Sequence, residues 1–204
     1  MLVMTDGMNV FERAIKRLFD VCCSFLGLVL LSPVFLVVYI MLRIQNEGSV
    51  IFMQERIGYE GKPFNIYKFR TMRVNSEDDG KPKLATKSDE RLTKVGRFLR
   101  EHHLDELPQL WNVFIGDMSF VGPRPERKYF IDLIRKENPD YDYIFMMRPG
   151  LTSMATIHNG YTDTMEKMLI RLDMDLEYLQ RRSLWLDTKL VFTTFFYIVN
   201  GKKF

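Results

Sequence analysis

Cysteine is nearly absent: the 204-residue chain has two, Cys22 and Cys23, side by side. Adjacent thiols build no disulfide framework and no Cys/His zinc spacing accompanies them, so they read as small hydrophobes in a reducing, cytoplasmic setting. Also missing are a Walker-type phosphate loop, a Gly-rich dinucleotide fingerprint and a Gly-x-Ser-x-Gly nucleophile elbow. An enzyme built on this chain must therefore use carboxylates and cations. There is no internal repeat or low-complexity tract. Net charge is small, +3 from 29 basic and 26 acidic side chains, which gives no ground for a nucleic-acid partner. The length suits one domain, or one domain with an appendage, and the 47% hydrophobic and 27% charged fractions exclude disorder, a collagen-like repeat and a polytopic channel.

The most informative absence is local. Val21 to Leu42 carry no charged side chain, between Asp20 and Arg43. As a helix this segment reaches ~33 Å, about the thickness of a bilayer core. It is too long for a signal peptide and has no small-residue cleavage site after it, so a retained, membrane-contacting segment is expected. Apolar residues on every face argue against a buried core helix. Near its middle lies Ser32-Pro33. Pro33 must kink or break the helix, and Ser32 can cap the backbone groups that the break frees. The two pieces would each rise roughly 14–18 Å, half the hydrocarbon depth. Arg13, Lys16 and Arg17 precede the segment and Arg43, Arg56 and Lys62 follow it, so the positive-inside rule places both flanks in the cytoplasm, as a hairpin requires. Proline also occurs in spanning helices, so these residues alone leave hairpin and single span open.

Residues 50–53 and 64–69 read as two short strands joined by a Gly/Pro turn cluster, and residues 75–90 as an exposed polar loop. From Arg91 onward Leu92, Val95, Phe98 and Leu99 recur at helical spacing opposite Lys94, Arg97 and Arg100, giving a helix with a basic face. A second helix is expected from near Asp105 through Ile115, stopped by Gly116-Asp117, with Pro108 early where proline is allowed. Residues 126–138 and 162–182 read as amphipathic helices, and Leu184 to Val199, too short to span, as an interfacial or docking helix. Residues 54–100 hold 12 Lys/Arg against 7 Asp/Glu, whereas residues 126–182 hold 9 against 10, so the basic excess is regional.

Chemistry concentrates in Arg100-Glu101-His102-His103-Leu104-Asp105-Glu106. Two carboxylates at a helix start can be mere caps. Alternatively Asp105 is a nucleophile or metal ligand, Glu106 tunes it, and Arg100 holds an anion. His102 and His103 point apart on a helix and do not make a two-histidine metal site. Gly122-Pro123-Arg124-Pro125 is either a connector or a rigid turn presenting a phosphate-binding arginine. Lys68 and Arg70, separated by Phe69, fall on one face of a strand, either as a solvated edge or as a pair of anion-binding cations.

In order along nearly the whole chain stand Lys16-Arg17-Leu18-Phe19-Asp20, Ser32-Pro33, Gln54-x-Arg56-x-Gly58, Tyr67 to Met72, Leu104 to Leu110, Gly116 to Pro125 and Arg148-Pro149-Gly150-Leu151-Thr152. Together they resemble the bacterial sugar transferase family, specifically its small monotopic polyprenyl-phosphate phosphoglycosyl transferases. The resemblance implies a fold that is mainly α with a small β-hairpin. An N-terminal re-entrant membrane helix-break-helix (residues 1–45) would carry a compact cytoplasmic catalytic domain (46–204) with interfacial amphipathic helices. The chain would be monotopic on the cytoplasmic face of the bacterial inner membrane, without the extra spanning helices of larger members.

The implied activity is transfer of a phosphosugar from a UDP-sugar to undecaprenyl phosphate, releasing UMP, as the first membrane step of a cell-surface glycan pathway. Asp105 matches the family's nucleophile and Glu106 its partner, with Mg²⁺ at Asp105 and a covalent aspartyl-phosphosugar intermediate. Arg100 matches a position linked to phosphate binding and Arg124 one in the active-site region; Lys68, Arg70 and Arg148 complete the expected substrate-binding cations. Membrane lipids are the other expected partner, and self-association is open. After Thr152 the chain departs from the family pattern, with Ser153 to Tyr161 lacking a Gln and an Arg of many relatives, and no sugar is assigned. The rival reading is a non-catalytic membrane-tethered scaffold that binds anionic lipid or a partner protein through the basic region.

Overall fold

The computed structural model describes residues 4–45, 48–74, 89–160 and 162–200. Most of the 75–90 loop read from the sequence, and Tyr161, lie outside the described residues. The chain opens with helix α1 (Val10–Leu30), started by an Asn9/Glu12 capping box. After a one-residue break at Leu31 follows α2 (Ser32–Gln45), bent 59° from α1. No single helix among the described residues is long and apolar enough to cross a membrane; the bent pair passes the same test together. Both helices extend beyond the charge-free segment, and α1 takes in Arg13, Lys16 and Arg17.

Those three cations, the charged flank before the segment, are engaged within the protein. Arg13 pairs with Asp6 at 2.8 Å. Lys16 pairs with Asp187 and donates to the Val121 carbonyl at 3.0 Å. Arg17 donates to the carbonyls of Val113 and Phe114 at 2.7 and 2.9 Å, acceptors in the last turn of a helix. The Lys-Arg-Leu-Phe-Asp motif is thus a docking strip: its Asp20 is buried and accepts from Phe120 N–H at 3.1 Å. The other faces of the two helices remain bare, with Val10, Phe11, Leu18, Leu30, Leu36 and Ile44 all exposed. An apolar surface of this extent marks an interaction with membrane or partner.

Strands β1 (Ile51–Ile57) and β2 (Pro63–Phe69) form the expected antiparallel hairpin, with Ile51 opposite Phe69 and Ile57 opposite Pro63. Helix α3 (Lys94–Glu101) follows, capped by Thr93. Its Gly96 lies so close to β2's end that a Cβ would stand 1.9 Å from the Thr71 carbonyl oxygen. The helix expected from Asp105 divides: Leu104–Glu106 is a 3-10 turn, and α4 (Gln109–Ile115) begins after Pro108. His103, in left-handed conformation at φ 55°, separates the turn from α3.

The sequence reading missed a second, parallel pair, β3 (Ser119–Val121) against β4 (Gly150–Thr152). It joins two motifs about thirty residues apart in the chain, and its glycines explain themselves. A Cβ on Gly122 would lie 2.1 Å from the Arg148 carbonyl oxygen, and one on Gly150 2.2 Å from the Gly122 nitrogen. Helix α5 (Lys128–Glu137), a 3-10 stretch (Pro139–Met146), α6 (Met154–His158), α7 (Met165–Arg181) and α8 (Leu184–Val199) complete the chain.

The largest core packs Ile131, Ile134, Tyr141, Met147, Leu172 and Leu179 from these C-terminal elements. A second core joins α2 to the domain through Val38 and Leu42 against Val50, Phe69 and Leu99. Helix α2 is therefore packed into the rest of the chain. Along α8, Trp185, Phe192, Phe195 and Phe196 stay exposed.

Candidate functional site

The 3-10 turn holds Asp105 and Glu106 against β2. Neither carboxylate caps the turn or α4, so the capping explanation for the acidic pair is not realised. Asp105 is 5% exposed and accepts no hydrogen bond from any described residue. Glu106, less buried, is bound by Lys68 Nζ at 2.5 Å, and Arg124 Nη2 stands 4.0 Å from the same oxygen. Arg100, one turn before His103, has its Nη1 buried without a hydrogen-bond partner.

The two carboxylates are pushed apart electrostatically. Burial raises Asp105 above the usual carboxylate range and the neighbouring Glu106 carboxylate adds to it, against the pull of Lys68 and Arg100. Burial would raise Glu106 too, but Lys68 and Arg124 outweigh it and hold Glu106 well below that range. Burial and the neighbouring charges thus set the two acids apart, Glu106 the more acidic and Asp105 the less.

The loop bearing Arg124 is fixed from two sides. Arg56 donates through Nη1 to the Pro125 carbonyl at 3.1 Å and through Nη2 to Gln54 at 2.6 Å, which gives the Gln-x-Arg motif its purpose. Gly150 N–H donates to the Pro123 carbonyl at 2.9 Å. Glu126, directly after the loop, is paired with Arg171 at 2.6 Å and lies 3.6 Å from Arg56.

The structure thus brings together Lys68, Arg100, Asp105, Glu106 and Arg124. It sends the other two expected cations elsewhere. Strand β2 ends at Phe69, so Arg70 leaves the alternation and its Nε donates to the Ser49 carbonyl at 2.6 Å. Arg148 donates to the Gly116 carbonyl at 2.9 Å and lies over the Tyr59 ring, 5.0 Å from its centroid. Ser32 and Pro33 sit at the start of α2, directly after the break, as expected. Sequence reasoning missed Gln109 and Asn112, both fully inside on the same helical run as Asp105. Their signal was available: Asp105, Gln109 and Asn112 recur at i, i+4 and i+7.

Among the described residues no three His, Cys, Asp or Glu side chains cluster to hold a metal ion. One carboxylate with open lone pairs nevertheless suits Mg²⁺, which binds through one or two carboxylates and completes its shell with substrate phosphates and water.

A family model for bacterial sugar transferases matches residues 11–201. The UDP-glucose:undecaprenyl-phosphate glucose-1-phosphate transferase of Klebsiella pneumoniae is 44% identical over 191 residues, covering 93% of this chain and 41% of that protein. The UDP-N-acetylgalactosamine-undecaprenyl-phosphate N-acetylgalactosaminephosphotransferase of Aeromonas hydrophila is 39% identical over 187 residues, covering 92% and 44%. The UDP-glucose:undecaprenyl-phosphate glucose-1-phosphate transferase of Caulobacter vibrioides is 41% identical over 181 residues, covering 88% and 67%. The chain spans less than half the length of the first two.

Proposed function

Since this chain belongs to the bacterial sugar transferase family, we propose that it transfers a sugar 1-phosphate from a UDP-sugar to undecaprenyl phosphate and releases UMP. The observation that carries the reading is the Asp105 carboxylate, buried, unbonded and made more basic, beside a Glu106 locked by Lys68 and Arg124. Asp105 attacks the sugar-bearing β-phosphorus and expels UMP, giving an aspartyl-phosphosugar; the lipid phosphate then attacks the same phosphorus and frees Asp105. An anionic nucleophile meeting an anionic diphosphate needs positive charge close by, which Lys68, Arg100 and Arg124 supply. Glu106 keeps Lys68 in place for that purpose. Mg²⁺ would be held by Asp105 together with diphosphate oxygens, where it offsets phosphate charge.

The bent α1–α2 pair dips into the cytoplasmic leaflet and returns, and the bare aromatic face of α8 lies at the interface, so that a lipid phosphate and a soluble nucleotide reach one site. The protein would then be monotopic on the cytoplasmic face of the inner membrane. The relatives' names carry different sugars, glucose and N-acetylgalactosamine, and the sugar used here is left to measurement. A membrane-tethered scaffold has no use for an unbonded buried carboxylate beside an unpartnered arginine nitrogen, both costly to keep.

The test is UMP release from a panel of UDP-sugars with undecaprenyl phosphate and Mg²⁺. Turnover by the wild type with at least one sugar, abolished in Asp105→Asn, is the expected result. No turnover with any sugar, or unchanged turnover in Asp105→Asn, overturns the reading.

A further inference from the structure

The run from Leu104 to Ile115 follows one helical path: a 3-10 turn, Leu107 and Pro108 in right-handed helical conformation, then α4. Asp105, Pro108, Gln109 and Asn112 are all buried, the i, i+3, i+4, i+7 spacing of a single face. Asn112 shows where that face looks. Its Oδ1 accepts from Tyr67 N–H at 3.0 Å and its Nδ2 donates to the Asn65 carbonyl at 2.7 Å, both on β2, the strand that also carries Lys68. Gln109 lies on this face between Asp105 and Asn112.

The Gln109 side chain is 3% exposed, and its Nε2 has no hydrogen-bond partner among the described residues. A buried, unpaired amide donor is destabilising, and an apolar residue of the same volume would fill the position better. Packing therefore does not account for a glutamine here. Arg100 Nη1 is a second buried donor without a partner, and Asp105 is a buried acceptor that accepts nothing. Open donors on the run that carries a buried, open carboxylate suit a group rich in acceptor oxygens.

Resting on the transferase reading above, we propose that Gln109 is a catalytic donor whose Nε2 hydrogen-bonds a non-bridging oxygen of the phosphoryl group as that group moves on and off Asp105. In the first step the bond from Asp105 Oδ to phosphorus forms while the bond from phosphorus to the UMP oxygen breaks, and the electron pair leaves with UMP. In the second, an oxygen of the lipid phosphate bonds to phosphorus while the aspartyl oxygen departs with its pair. Gln109 gives up no proton in either step. It offers an uncharged N–H to an oxygen whose position changes as phosphorus passes through five-coordination, so the bond is strongest between the ground states. The free donor in this structure is then the resting form of a contact completed by substrate.

Gln109→Met keeps the length and roughly the volume of the side chain and removes the donor; Gln109→Glu puts an acceptor in its place. In the Met variant kcat for UMP release is expected to fall about tenfold to a hundredfold with KM for the UDP-sugar moving less than about threefold. The melting temperature should stay level or rise, because an unpaired buried amide has gone. The Glu variant should be slower still. With UDP-sugar radiolabelled in its β-phosphate and no lipid acceptor, label on the protein should form more slowly in Gln109→Met, in step with kcat. A kcat within about threefold of wild type in Gln109→Met overturns the proposal, as does a parallel fall of kcat and melting temperature in both variants, which marks a packing role. Wild-type turnover that Asp105→Asn abolishes and Gln109→Met leaves intact overturns only the role of Gln109; turnover surviving in Asp105→Asn, or absent from the wild type, overturns the transferase reading beneath it.

Discussion

The Ser32 hydroxyl donates to the Val29 carbonyl at 2.8 Å, the acceptor four residues before Pro33 that a proline has no N–H to serve. One side chain thus serves the carbonyl that its neighbour leaves without a donor, at the 59° bend between α1 and α2. Pro33→Ala restores the donor and removes the ring clash, so the pair is expected to straighten toward one long helix. In cells carrying a chain with Cys22 and Cys23 replaced by alanine, single cysteines at Thr5 and at Glu60 should both resist a membrane-impermeant thiol reagent. After Pro33→Ala the Thr5 cysteine should become reactive in a fraction of molecules. Labelling at Thr5 with Pro33 intact would instead place the N-terminus across the membrane.

Lys68 and Arg70 make a second, sharper comparison. Lys68 reaches Glu106 at 2.5 Å, while Arg70 is spent on the Ser49 carbonyl. Lys68→Met is expected to lower kcat/KM on the order of a hundredfold, the scale of losing one cation from a phosphoryl-transfer site. Arg70→Met should cost stability, about 1–3 kcal/mol for a charge-assisted hydrogen bond, and leave kcat/KM within about threefold. Equal losses of kcat/KM in the two variants would return Arg70 to the substrate site.

Asp175 makes stability depend on pH. It is 3% exposed and faces Arg171 and Glu126, which are already paired with each other at 2.6 Å. Burial therefore prevails over the Arg171 charge and pushes Asp175 up to about 7. A folded-state value above the unfolded one means that the native protein holds this proton more tightly. The stabilisation is complete below about pH 4, shrinks as pH rises, and is gone above pH 7, a span on the order of 4 kcal/mol at most. Asp175→Asn has no proton to release. Thermal melts of the wild type should fall between about pH 4 and 7 and level off above, and those of Asp175→Asn should stay flatter; parallel curves would show that Asp175 is not the titrating group.

What the sequence made legible was periodic or covalent. Pro33 fixes a break through its ring, the turn cluster Gly58 to Pro63 fixes a hairpin, and Ser183 begins α8 where the apolar run starts. What escaped was set by distant partners. Nothing local shows that Lys16 and Arg17 are tied within the protein, because their acceptors lie 96 to 171 residues away. The β3–β4 pair is three residues long on each side, too short for any alternation to show. Of the five expected cations, Lys68 reaches Glu106 whereas Arg70 turns to the Ser49 carbonyl, because the strand period does not say where a strand stops. Gln109, within the Leu104 to Leu110 run, was given no role because an uncharged amide in an apolar run looks like filler until its buried nitrogen is found without a partner.

Lys16, on α1, and Asp187, on α8, tie the first helix to the last, with both side chains about nine-tenths buried. Tyr178 donates to the other Asp187 oxygen at 2.5 Å. Such a pair stabilises little by itself, since desolvation offsets most of the attraction, yet breaking it strands a buried charge. Lys16→Met is therefore expected to cost about 3–5 kcal/mol. Lys16→Met combined with Asp187→Asn removes the stranded charge, while the new amide oxygen can still accept from Tyr178, so the double variant should melt at a higher temperature than Lys16→Met alone. The order of the two melting temperatures, measured in one detergent, carries the argument. A double variant that melts lower than the single one would mean that the two helices are held by the direct attraction of Lys16 for Asp187, and that the cost of an unpaired charge is the smaller effect.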